Sequence, residues 1–312
     1  VRTISLLLHS FLIAGCVTPL PPDLKGKITA LPKSPHQGET LLIQFQLQSS
    51  QMPLTQSKGV ALVVGDENLK KDGDAKIVNR PRVFTCPEGF CALFGVGLDY
   101  PVGNLSVALK LPDGGTLDST TVLVRASEKP VERLRVDPSR VKISAEDQRR
   151  VDEEREIVHG VLNTARAEDL ESFAFKLPIR SKETSAFGKK RIFNGEPRGY
   201  HSGVDLRAGV GSKIHSANSG IVRLARHLFM AGNHVLVDHG GGIFSSYSHL
   251  SEIWVKEGQR IAAGELVGKA GNTGRVTAPH LHWTVRVEGE AVDPIQFMEI
   301  SKRLSSQFNQ RE

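Results

Sequence analysis

Two histidines one residue apart, His280 and His282, lie in a run of strand formers: Leu281, Trp283, Thr284, Val285 and Val287. Aromatic and β-branched residues favour extended backbone, and the two-residue period of a strand puts both imidazoles on one face. Upstream, His201 and Asp205 are four residues apart, and Gly199 and Gly203 favour a looped or extended backbone over a helix. Eight of the eleven histidines fall between His201 and His282. A zinc ion takes about four ligands from imidazole, thiolate and carboxylate, and a catalytic zinc keeps one position for water. Two neutral histidines and a carboxylate leave the ion with a net charge of about +1, which favours a bound hydroxide near neutral pH.

The run from His201 to Asp293 resembles the M23 family of zinc metallopeptidases, the lysostaphin-type or LytM-like domains that cut peptides in bacterial peptidoglycan. The landmarks follow in order: His201 and Asp205 as H-x-x-x-D, Tyr247 to Leu250 as Y-x-H-L, and glycines at 258, 264 and 268. Then come Gly271-Asn272-Thr273-Gly274, His280-Leu281-His282 and Val292-Asp293-Pro294. The resemblance implies one zinc per domain bound by His201, Asp205 and His282, with His249 and His280 as the catalytic histidines. Ala278 stands where a glycine commonly precedes Pro-His-Leu-His, a small-for-small departure. His215, His227, His234 and His239 are read as structural residues in expected turns, with His234 beside Asn233 and His239 between Asp238 and Gly240. Asp293-Pro294 is read as a turn that ends the domain.

The chain has 312 residues and 39% hydrophobic content, enough for about two globular domains. Residues 4–13 are largely apolar and too short to span a bilayer, which fits the core of a secretory signal. Ile13-Ala14-Gly15-Cys16 resembles a bacterial lipobox, which implies acylation of Cys16 and a membrane-anchored, exported lipoprotein facing the periplasm or cell wall. Cys86 and Cys91 are then left as an even pair in an oxidising compartment, flanking a turn-rich loop, and are expected to form a local disulfide.

The expected organisation is a signal peptide over 1–15, a proline-rich tether over 16–26, a β-sandwich over 27–126 and a linker with a helix over 127–171. A peptidase domain over 172–300 and a tail over 301–312 complete it. The fold class is mainly β: an N-terminal Ig-like β-sandwich, a helical linker, and a C-terminal LytM-like antiparallel β-sheet metallopeptidase domain. In the sandwich, Ile43, Phe45 and Leu47 alternate with Gln44, Gln46 and Gln48, and Leu105, Val107 and Leu109 run into an Asp113-Gly114 turn. In the linker, Ser144 followed by Asp147 marks a helix start, and Val151, Val158, Val161, Leu162 and Ala165 form one apolar stripe. Gly160 weakens its second half by about 1 kcal/mol relative to alanine.

From Ser172 onward there are 19 basic and 12 acidic residues, a net +7, against −1 for the preceding part. Such a domain attracts anionic polymers, cell-wall peptides or phospholipid headgroups. With 6% aromatic residues and no recognisable binding motif, no nucleic-acid partner is expected. The reading is a zinc-dependent endopeptidase of peptidoglycan stem peptides or cross-links. The alternative is a non-catalytic M23-like lipoprotein that binds peptidoglycan or regulates a separate cell-wall amidase through protein partners.

Overall fold

A computed structural model describes residues 20–50, 60–71, 75–128, 130–135, 144–163, 170 and 172–309. The expected signal segment, Cys16 and Ala165 lie outside the described residues. The chain is mainly β. No helix among the described residues is long and apolar enough to cross a membrane.

The N-terminal part is two four-stranded antiparallel sheets face to face. One has the order β1 (Lys25–Leu31), β2 (Thr40–Gln48), β6 (Gly89–Gly95), β5 (Val83–Cys86), and the other β4 (Ala75–Asn79), β3 (Ala61–Lys71), β7 (Gly103–Lys110), β8 (Thr116–Val124). Period-two alternation makes the core between them: Leu41, Ile43 and Phe45 from β2 meet Leu62, Val64, Leu105, Val107 and Leu109. The opposite face of β2 is also buried. Leu42 joins the core of the C-terminal domain, and Gln44, only 8% exposed, donates from Nε2 to Gln307 Oε1 at 3.2 Å. The glutamine face read from sequence as polar alternation is thus a domain interface at Gln44. Cys86 and Cys91 are joined by a disulfide and face the same interface.

A short strand, β9 (Val131–Leu134), leaves the sandwich and pairs in parallel with β11 (Lys190–Phe193), which pairs in turn with β12 (Glu196–Tyr200). The linker therefore holds a strand as well as a helix. Helix α1 (Ala145–Asn163) starts where Ser144 Oγ accepts from the Asp147 N–H at 3.0 Å, and it continues past Gly160. Its Val158, Val161 and Leu162 pack on Leu224, Leu228, Leu236 and Phe244 of the large sheet. Half-burial of three aliphatic side chains contributes on the order of 3 kcal/mol at most.

The C-terminal domain is built on a ten-stranded sheet. Its main path runs β10 (Glu183–Ser185), β13 (Val204–Arg207), β20 (His280–Val287), β17 (Ile243–Ile253), β16 (Gly232–Gly240), β15 (Gly220–Leu228), β18 (Arg260–Ile261). β14 (Lys213–His215), β19 (Leu266–Ala270) and β21 (Glu290–Val292) branch from it. One face is apolar: Leu281, Trp283, Val285 and Val287 of β20 are each fully buried with Leu206 and Tyr247. The same core takes Phe297 and Leu304 of helix α2 (Pro294–Asn309).

Asp293-Pro294 is the start of that helix and not a terminating turn. Asp293 Oδ1 accepts from the Ile295 N–H at 2.8 Å, and proline at the first helical position gives up a donor with no partner to lose. The domain boundary expected at residue 300 falls inside α2, because Leu304 is part of the core. Gln296 of α2 exchanges two hydrogen bonds with the backbone of Thr40, so the sandwich docks behind the sheet. The other face of the sheet carries His201, His234, His249, His280, His282 and α1.

Candidate active site

Strand pairing brings the first two candidate ligands together. In the antiparallel register of β13 and β20, Asp205 lies opposite His282 and Arg207 opposite His280. Side chains on one face of an antiparallel pair have Cβ atoms about 5 Å apart. His282 Nδ1 is 2.8 Å from Asp205 Oδ1, and His201 Nε2 is 2.9 Å from that oxygen and 3.0 Å from His282 Nδ1. His201 precedes β13 and is pinned by its own backbone, whose N–H donates to Lys189 O at 2.9 Å.

Each ligand atom is oriented from behind. His201 Nδ1 donates to Ala186 O at 2.8 Å, so Nε2 presents its lone pair. His282 Nε2 lies 3.2 Å from Thr284 Oγ1, leaving Nδ1 toward the cluster. Arg191 Nη2 donates to Asp205 Oδ2 at 2.9 Å, and Arg191 Nε donates to Glu132 Oε2 at 3.2 Å. Burial opposes the Asp205 charge, but hydrogen bonds with His201 and His282 outweigh it and hold the carboxyl far below its usual range. Burial acts on His282 in the opposite sense to its Asp205 contact and lowers the imidazole from its ordinary value.

The chemistry of this donor set fits zinc. Three ligand atoms, two imidazole nitrogens and one carboxylate oxygen, lie within 4.8 Å of one another. A tetrahedral site with bonds of 2.0–2.1 Å has edges of about 3.3 Å, close to the 2.8–3.0 Å separations here. Hydrogen-bonded histidine ligands with a supported carboxylate are the usual outer arrangement of such sites.

His249 reaches the cluster through a bulge. Between Asn233 and Val235 on β16 there are two steps, but between their partners Leu250 and Tyr247 on β17 there are three. The extra residue lets both Ser248 and His249 face the cleft between core residues Tyr247 and Leu250. His249 takes φ 63°, a left-handed conformation that costs a non-glycine residue about 1–3 kcal/mol. Its ring centroid is 5.0 Å from that of His280 and 6.0 Å from that of His282. Nδ1 of His249 donates to Thr273 O at 3.0 Å, and Nδ1 of His280 donates to Ala278 O at 2.8 Å. Both rings therefore offer Nε2 to the cleft. Burial, then the neighbouring His282 and His280, pushes the His249 imidazole down to about 3.

The cleft encloses about 780 Å³. Met230, Arg275 and the loop to Pro279 wall one side, and Phe193 and Tyr200 line it with Glu132 from the linker strand. Among the described residues, none from the sandwich lines it.

Residues 199–294 match the family described as "Peptidase family M23". This segment is an M23 domain. The chain is 40% identical over 96 residues to a peptidoglycan DD-endopeptidase, ShyA, of Vibrio cholerae. It is 35% identical over 95 residues to the DD-carboxypeptidase/endopeptidase Mpg of Neisseria meningitidis. These alignments cover 31% and 30% of the chain and 22% of each relative. The chain thus matches about a fifth of the length of these curated relatives. A crystal structure from Pseudomonas aeruginosa assigned to M23 superposes over 85% of this chain and 95% of its own, with a TM-score of 0.60 at 23% identity. That likeness shows the fold.

The four histidines expected in turns are in strands of the M23 domain. His215 lies in β14, His227 in β15, and His234 and His239 in β16. His239 is structural in its contacts, bonding Ser219 O at 2.7 Å and Ser245 Oγ at 2.7 Å. His234 instead lines the cleft. Arg191, Glu132 and the carbonyls of Ala186, Thr273 and Ala278 received no role from sequence. A carbonyl leaves no mark in residue type, and Glu132 lies 73 residues from Asp205 on a linker strand whose pairing the sequence does not announce.

Proposed function

We propose that this protein is a zinc-dependent endopeptidase that hydrolyses peptide bonds in the stem peptides or cross-links of bacterial peptidoglycan. The observation that carries the reading is the convergence of His201, Asp205 and His282 beside two histidines whose Nε2 atoms face the same cleft. Similarity to proteins named as peptidoglycan DD-endopeptidases supports the substrate class.

Zinc held by His201, Asp205 and His282 would supply a Lewis acid that polarises a carbonyl and lowers the pKa of a water to about 7. The chain's own residues do the rest. His249 and His280, each fixed as the Nδ1–H tautomer by a backbone carbonyl, accept a proton at Nε2 when neutral and donate from Nε2 when protonated. One serves proton transfer from water to the leaving amine and the other stabilises the oxyanion. Arg191 holds Asp205 Oδ2 and leaves Oδ1 turned toward the ligand cluster. As an exported lipoprotein, the protein would be tethered through acylated Cys16, where two or more acyl chains give stable anchoring.

The test separates metal binding from chemistry in the full chain. Asp205→Ala and His282→Ala are expected to lose zinc and peptidoglycan hydrolysis together. His249→Ala and His280→Ala are expected to retain near-stoichiometric zinc while hydrolysis falls by about 10²-fold or more. Metal analysis and mass spectrometry of released muropeptides read both. A metal-free or fully active His249→Ala protein overturns the division of roles, and no released product from the zinc-loaded wild type overturns the activity.

A further inference from the structure

The cleft extends beyond the residues the proposed reaction uses. Even-numbered residues of β20 continue along its floor from His282 to Thr284 and Arg286, while β17 adds Ser248 and Ser246 and β16 adds His234. Four strand residues span about 13 Å, so the Arg286 backbone lies two to four extended peptide residues from the metal ligands.

Two features mark this inner end. Arg286 donates from Nη1 to Gly289 O at 2.8 Å and feels the charge of Glu290, but no carboxylate among the described residues lies within ion-pair distance of it. Its half-buried guanidinium lines the cleft. A cation in that setting carries a desolvation cost that a partner normally offsets, and a guanidinium keeps its charge. His234 gives the second feature. Its Nδ1 shares a hydrogen bond with Ser248 Oγ at 3.0 Å, but its Nε2 is buried with no partner among the described residues. Buried polar atoms are almost always paired, and an unpaired one costs about 1–3 kcal/mol. Both groups line the same cavity and neither supports the sandwich, the helix or the ligand cluster.

Resting on the peptidase reading, we propose that Arg286 and His234 form a specificity subsite that binds a free carboxylate of the peptide substrate a few residues from the scissile bond. Arg286 supplies the forked, charge-assisted contact that matches a carboxylate, and His234 Nε2 with the Ser246 and Thr284 hydroxyls supplies polar contacts to the flanking backbone. Electroneutral peptides gain nothing from Arg286. The subsite therefore selects among peptidoglycan peptides by whether their carboxylates are free or amidated, without touching the reacting atoms.

The experiment uses cross-linked stem-peptide dimers with their carboxylates intact or converted to primary amides. Binding to zinc-loaded full chain is measured by titration calorimetry, and hydrolysis by kcat/KM, for wild type, Arg286→Gln and Arg286→Lys. Wild type is expected to favour the carboxylate form by about 10- to 100-fold in both readouts, the scale of one hydrogen-bonded charge. Arg286→Gln should lose that preference, and Arg286→Lys should keep part of it. Thermal unfolding checks that each variant folds, and Arg286→Lys carries the test if Arg286→Gln does not fold. Equal binding of both forms by wild type, or an equal preference in wild type and Arg286→Gln, overturns the subsite. If the carboxylate form binds better through Arg286 yet neither dimer is cut, the subsite stands and the hydrolytic reading fails.

Discussion

Gly203 separates the two ends of the H-x-x-x-D pair, and placing a methyl group there tests how tightly strand pairing sets the metal site. A Cβ at Gly203 would lie 2.4 Å from Trp283 O, 2.8 Å from Thr284 Oγ1 and 3.0 Å from His282 Cε1. Ordinary contact begins near 3.4 Å, so the shortfall against the Trp283 carbonyl is about 1 Å. That carbonyl belongs to the backbone of β20, which is paired on both sides, and it has no rotamer by which to withdraw. The relief available is a movement of the His201–Asp205 segment away from β20 by on the order of 1 Å. Zinc sites tolerate about 0.2 Å in ligand distance, so such a shift dislodges Asp205 and His201 from His282. Gly203 is outside the left-handed region, so alanine carries no backbone strain there and the loss is packing alone.

Gly203→Ala is expected to cost about 1–3 kcal/mol of stability, as overpacking does, and to weaken zinc affinity tenfold or more. Gly209→Ala is the control: its nearest neighbour to an added Cβ is Ser212 Oγ at 3.9 Å, and its φ is not left-handed. It should be neutral or stabilising by up to about 1 kcal/mol through the unfolded chain. Competition titration against a chromophoric chelator and thermal unfolding of the zinc-free proteins read the two effects. Wild-type affinity and melting temperature in Gly203→Ala would refute the argument that the β13–β20 approach sets the site.

Two further outcomes follow from burial. Burial, then the His282 and Arg286 charges, lowers His234 to about 4. An unfolded histidine takes up its proton near pH 6.5, so the stabilising difference is whole above that value and is lost as pH falls from 6.5 toward 4. The loss reaches about 3 kcal/mol in the zinc-free protein. Urea unfolding across that window should show a shallower acid loss in His234→Gln, and an unchanged slope would count against the assignment. Opening the Cys86–Cys91 loop by Cys86→Ser with Cys91→Ser should cost about 2 kcal/mol through loop-closure entropy. Denaturant midpoints with and without reductant measure this, and a reductant effect that persists in the double variant would contradict it.

The H-x-H string was informative because strand periodicity is local: once β20 forms, Leu281 and Trp283 must face the core and His280 and His282 the cleft. The start of α1 was equally local, since Ser144 caps its own helix. Other features depended on what the chain meets. Gln44 looked solvent-facing by alternation, but α2 covers it, because a strand can be buried on both faces when a second domain docks behind it. His234 follows Asn233, a turn signal by sequence, yet the pairing of β16 with β17 carries it into the cleft. The donor types and their spacing were therefore set by the sequence alone, as were the strands that present them. The bulge that turns His249 inward and the Arg191–Glu132 support of Asp205 came from tertiary structure. Each joins groups distant in the chain or depends on backbone conformation, and residue order records neither the partner nor the angle.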